Sequence, residues 1–242
     1  MKPALGKLLA ILAGLAVLLA AADETWAQGI LGTKHNLSTS GTGAVHVTSG
    51  AAEVCVFCHT PHGADTAVSA PLWNRAVNTT GYTMYTSDTF DATIDAQPTG
   101  SSQACLSCHD GTIAFDALRN LPGPGGFNTS PVSAGWTFVG AGAGNKMPSG
   151  ITNLGQDLTN DHPISMLYTS AKSPSATSGT SDHATGFKTP DASGAFTNGV
   201  RLYAGKVQCT SCHDPHRSDT QTFLRTSNDA SALCLTCHKK DG

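Results

Sequence analysis

CVFCHTPH at residues 55–62 and CTSCHDPH at residues 209–216 are close copies of one octapeptide. Each has two cysteines three positions apart, a histidine directly after the second, and another histidine three residues further on, behind a proline. CLSCHDG at 105–111 and CLTCHKK at 234–240 repeat the cysteine and histidine positions of the first five residues. The eight cysteines therefore form the pairs Cys55/Cys58, Cys105/Cys108, Cys209/Cys212 and Cys234/Cys237. They are followed by His59, His109, His213 and His238, and no cysteine is left over. With only 10 His in 242 residues, four such placements by chance are implausible.

C-x-x-C-H is the attachment sequence for c-type haem. The chemistry needs this spacing: two thiols add to the two vinyl groups of one macrocycle, and the next residue places an imidazole beneath the iron. Four motifs predict four covalently held haem c groups and their iron. Zinc ribbons also use paired C-x-x-C, but need no histidine after each pair. A disulfide framework would have to repeat a tight i, i+3 pair four times. A redox dithiol belongs in a thioredoxin-like pattern that is missing here.

Composition points the same way. Leu, Ile, Val and Phe make up 36 of the 215 residues from Gln28 onward, below the level of about 20% that an ordinary core needs. Ser and Thr number 52 and bury little apolar area each. Ordering the backbone costs about 1–2 kcal/mol per residue, so an apolar prosthetic group is expected to supply the missing core. The net charge of -3, from 14 Lys+Arg and 17 Asp+Glu, excludes a strongly basic nucleic-acid binder.

Residues 1–27 read as a signal peptide. Lys2 and Lys7 precede an uncharged apolar run at 8–22, and Thr25-Trp26-Ala27 offers a small-residue cleavage site. The run is short for a spanning helix, although an uncleaved N-terminal anchor is the alternative. No cysteine follows it for lipid attachment, and no second run of spanning length occurs. The expectation is an exported chain with no membrane span after signal removal. Export agrees with haem attachment, which in bacteria takes place outside the cytoplasmic membrane.

The motifs alternate in type, so the chain reads as two duplicated paired-motif units. These lie at about 28–120 and 200–242, joined by a loop-rich segment at 121–199, within one domain at 28–242. LPGPGG (121–126) and GAGAGN (140–145) are loop sequences. Short helices are expected over 51–59, 102–109, 112–119 and 228–238, the last with Asn228 as N-cap. The expected fold class is a multihaem cytochrome c: mostly coil with short α-helices wrapped around four haems, and little or no β-sheet.

Six histidines lie outside the motifs and compete for the distal positions: His35, His46, His62, His162, His183 and His216. His62 and His216 are tethered to one haem by a Pro-His step, so their rings most naturally reach a neighbouring haem. His162, in DLTNDHPIS, has Pro163 to fix the backbone and apolar neighbours. His35 and His46 both sit in the N-terminal arm, and His35 is preferred with His46 as the alternative. His183 lies in a polar stretch. Met is the rival ligand and Met147 its best candidate, while Met84 and Met166 read as packing residues.

KHNLS, CVFCHTPHG, PLWNR, CLSCHDG, DHPIS and CHDPH together resemble segments of the multihaem c-type cytochromes of metal-respiring bacteria, and of their filament-forming tetrahaem members. The resemblance spans about residues 30–240, and its specific part is the haem motifs. It implies an electron-transfer protein rather than an enzyme, with bis-His haems, other redox cytochromes as partners and a homo-polymer at the cell surface. In that family one haem takes its distal histidine from the adjacent subunit, a role that would fall here to His35 or His46. The alternatives are a monomeric periplasmic shuttle, a multihaem reductase with one open haem, and an exported zinc-binding structural protein. No motif carries the Lys-for-His replacement of multihaem nitrite reductases.

Overall fold

A C-x-x-C pair closes one helical turn, because positions i and i+3 share a helix face. In a computed structural model, which describes residues 29–123, 127–172, 186–217 and 219–239, each motif does so. His59 N–H donates to Cys55 O at 2.8 Å, His213 N–H to Cys209 O at 3.0 Å and His238 N–H to Cys234 O at 2.9 Å. The second motif ends a longer helix, α1 (Ser101–His109). Helices α3 (Cys209–Cys212) and α4 (Cys234–Cys237) are the third and fourth motifs themselves. Between them lies α2 (Tyr168–Lys172).

The remainder is mostly coil, with one departure from expectation. Three two-stranded antiparallel sheets form. Strand β1 (His46–Val47) pairs with β4 (Phe138–Val139). Strand β2 (Ala117–Asn120) pairs with the seven-residue β3 (Phe127–Ser133), and β5 (Met166–Leu167) with β6 (Lys206–Val207). These pairings join residues far apart in sequence or across a turn, so no local alternation announced them.

Two expected helices do not form. Over 112–119, the Asp110 carboxylate takes both the N–H and the hydroxyl of Thr112 at 2.8 Å, turning the chain away from a helix. Ala117 and Leu118 then pair with Ser133 and Val132. Over 51–59, Ala51 accepts from Thr39 N–H at 2.8 Å, and only the motif turn itself is helical in its bonding. The helix expected at 228–238 shrinks to α4. Asn228 makes no side-chain cap, and Ala230 and Ser231 are left-handed at φ 50° and 65°.

Among the described residues the apolar core is divided into small clusters beside the motifs. One gathers Leu37, Val47, Ala51, Phe57 and Phe115 against Cys58 and Cys108. Another packs Met166, Tyr168, Leu202 and Val207 against Cys237. Two smaller groups are Val68, Trp73 and Ala104, against Cys58, and Tyr82, Leu106 and Leu158. Polar joints tie the clusters together. Arg75 is fully buried and donates to Ser107 Oγ (3.3 Å), Ser107 O (3.2 Å), Phe115 O (2.6 Å) and Ala114 O (2.7 Å). It thereby holds the segment after the first motif onto the second. No helix among the described residues is long and apolar enough to cross a membrane, and residues 1–27 lie outside them.

Candidate haem centres

Each motif histidine leaves its helical turn and meets a returning segment. At the first motif, Asn74 N–H donates to Cys58 O (2.9 Å) and Thr60 N–H to Leu72 O (2.9 Å). At the third, Arg225 N–H donates to Cys212 O (2.8 Å) and Asp214 N–H to Phe223 O (2.8 Å). At the fourth, Lys188 N–H donates to Cys237 O (2.7 Å) and Lys239 N–H to Gly186 O (2.7 Å). One antiparallel register serves all three, with His59 opposite Trp73, His213 opposite Leu224 and His238 opposite Phe187.

The return segments also fix the imidazole tautomer. Nδ1 lies 2.6 Å from Pro71 O in His59 and 2.9 Å from Thr222 O in His213. In His109 it lies 2.7 Å from Thr152 O, supplied by a different loop. A carbonyl only accepts, so Nδ1 carries the proton and Nε2 keeps its lone pair for a metal. Sequence reasoning picked out PLWNR at 71–75 as a likeness but missed its clasping role, and it missed 222–225 and 186–188. Pro-Leu-Trp-Asn and Thr-Phe-Leu-Arg do share one pattern, an apolar pair followed by a polar residue.

Second imidazoles face two of the motif histidines. His216 lies opposite His59 with ring centroids 6.1 Å apart and planes at 17°. His35 lies opposite His109 at the same 6.1 Å, with planes at 88°. An iron held between two imidazoles by bonds of about 2 Å, each bonding nitrogen lying about 1 Å from its ring centre, sets the centroids roughly 6 Å apart. The donor set therefore fits. So does the burial of His35 Nδ1, which has no hydrogen-bond partner. Burial, reinforced by His109 nearby, holds the His35 pKa down at about 4, so the ring is neutral and able to ligate. Burial and then His162 lower the pKa of His238.

The remaining histidines are placed otherwise. His216 has its Nδ1 3.3 Å from the Asp214 carboxylate. His162 Nδ1 lies 3.0 Å from Pro163 O. His46 is tied to Gly43 O at 2.8 Å within β1, and His62 is exposed. Among the described residues no second imidazole lies against His213 as His216 lies against His59. His183 is outside the described residues. Met147 packs on the Phe57 cluster, and Met166 is buried.

The thiols are adjacent in chain order. Burial and then the neighbouring Cys108 push Cys58 up to about 12, linking motifs one and two. A hydrogen bond with Cys209 raises Cys105, linking two and three. Burial, then Cys209 and then Cys234 raise Cys212, linking three and four. The middle link is a close dovetail of α1 and α3. Ser102 Oγ donates to Gln208 Oε1 (2.5 Å) and receives Cys209 N–H (3.0 Å), and Ser101 bonds Thr210. All eight cysteines are free, and among the described residues no three His, Cys, Asp or Glu side chains gather as a metal cage.

The family described as the doubled CXXCH motif matches residues 203–242, which contain the third and fourth motifs. No curated protein matches the chain. The doubled motif indicates an electron-transfer protein of the multihaem c-type cytochrome kind, with haem c and its iron held covalently.

Proposed function

We propose that the chain is exported, carries four haems in two paired-motif units (28–120 and 200–242), and passes electrons along them in chain order. The observation that carries this reading is the set of four complete C-x-x-C-H turns, each met by a returning segment, with the second and third joined directly through Ser102, Gln208 and Cys209. The facing imidazoles support bis-His ligation at two of the motifs: His59 with His216, and His109 with His35. Capped irons exchange electrons but offer no site to a substrate, so the protein is read as a conduit rather than an enzyme. Its partners are other redox cytochromes.

The third motif bears on the choice between a discrete carrier and a polymer. His213 lacks a facing imidazole among the described residues, while His62 and His46 face no motif histidine. Since His35 faces His109 of its own chain, His62 or His46 is read, among the described histidines, as the one lent to a second copy. On this reading the chain is a subunit of a filament at the cell surface. Intact mass of material matured in a competent host should show four haems on one chain. Electron microscopy of the surface fraction should show filaments that His62→Ala or His46→Ala abolishes. Globular particles alone would leave the periplasmic shuttle. The same unpaired His213 favours the second reading, a reductase with one open iron. Cyanide perturbing one haem of the assembled protein would establish that reading, and an unchanged spectrum would dismiss it.

A further inference from the structure

The clasp of the third motif does more than its counterpart at the first. Thr222 and Phe223 are consecutive non-glycine residues in the left-handed region, at φ 55° and 61°. Thr222 is β-branched, for which that region is an outlier. Such a conformation persists only where the surroundings over-determine it. Here they do: the flanking pairs are Asp214 N–H to Phe223 O and Arg225 N–H to Cys212 O, both 2.8 Å. The Arg225 guanidinium reaches Thr210 O (2.8 Å), Asp214 Oδ2 (3.2 Å) and Tyr203 OH (3.0 Å). The outcome is a turn with two products. Its carbonyl at Thr222 meets His213 Nδ1 at 2.9 Å. Its ring at Phe223 stacks on His35, with centroids 4.3 Å apart and planes at 28°.

We propose that Thr222 and Phe223 form a positioning element shared by two neighbouring irons, aiming His213 at the third haem and holding the plane of His35 at the second. The proposal rests on the reading of the motifs as haem sites. His35 faces His109 at 88°, and a ring held by stacking cannot turn to relax that angle. Leu72, the equivalent of Phe223 at the first motif, shares the left-handed backbone (φ 53°) but is 53% exposed and has no ring to stack on an imidazole. The first clasp therefore serves one iron and the third serves two. The physical consequence is linkage: the orientation of one haem's ligand and the donor strength of the next are set by the same two residues.

Ferric electron paramagnetic resonance and resolved redox potentials test this. Phe223→Leu should shift two of the ferric signals together, one of them the signal that His35→Met removes. Leu72→Gly should shift at most one, and a different one. Should Phe223→Leu lose haem, Phe223→Tyr, which keeps the aromatic face, must restore the parent spectrum. A fully loaded Phe223→Leu protein with an unchanged spectrum, with a single shifted signal, or with no rescue by tyrosine would overturn the proposal. Intact mass separates the two failures, because a parent chain without haem would refute the haem reading itself.

Discussion

Residues 71–74 and 222–225 return along their motifs in one hydrogen-bond register, yet they face different surroundings. The first ends in Leu72 at the surface and Asn74 in the core, where Asn74 donates to Val56 O (2.7 Å) and Asn120 O (3.0 Å). The second stacks Phe223 on an imidazole and ends in Arg225, which is paired with Asp214. The imidazole pairs differ in parallel: both have centroids 6.1 Å apart, but one is near-parallel and the other near-perpendicular. The shared separation leaves room for one metal ion between two imidazole nitrogens. The angle is dictated by packing, which is free at exposed His216 and constrained at His35 beneath Phe223.

Removing a facing imidazole should have the largest effect. His216→Ala and His35→Ala should each convert one low-spin haem to high-spin and open it to cyanide. Binding should be faster at the first, because the His216 side chain is 60% exposed. Identical rates would erase the contrast between the sites. Next in size is Arg75→Met, which strands three carbonyls and the Ser107 hydroxyl in the joint between the first two motifs. It should cost about 3 kcal/mol in thermal denaturation, since bonds to a charged donor are the strong ones.

Glycine at the equivalent clasp positions should act with opposite signs. Leu72→Gly relieves a left-handed backbone at an exposed site and should stabilise by up to about 1 kcal/mol. Phe223→Gly gains the same relief but loses the His35 stack, worth about 0.5–1.5 kcal/mol, and the apolar burial of the ring, so it should destabilise. Denaturant midpoints of both variants check this. The unaltered protein supplies the finest test. Near-parallel axial rings give an ordinary rhombic ferric signal and near-perpendicular rings a strongly anisotropic one, so both types should be present in one spectrum.

The motifs were legible because everything they need is local. A C-x-x-C pair makes one helical turn from its own hydrogen bonds, and the following histidine is placed by that turn. The poverty in Leu, Ile, Val and Phe was also legible, and the apolar side chains gather only in small clusters around Phe57, Trp73, Leu106 and Tyr168. His216, expected from its Pro-His step to reach beyond its own motif, has its ring opposite His59 of the first motif.

Local pattern could not reach the partners that lie far off along the chain. Whether residues 112–119 coil into a helix depended on strand β3 being available to Ala117 and Leu118. Whether His35 served its own chain depended on the Thr222–Phe223 turn and on α1, roughly 190 and 70 residues away. The four C-x-x-C-H turns and the scarcity of ordinary core are properties of composition and of i, i+3 spacing, which the sequence determines alone. The order of the motifs in space, the return clasps and the angle between facing imidazoles arise from long-range pairing, which only the tertiary structure decides.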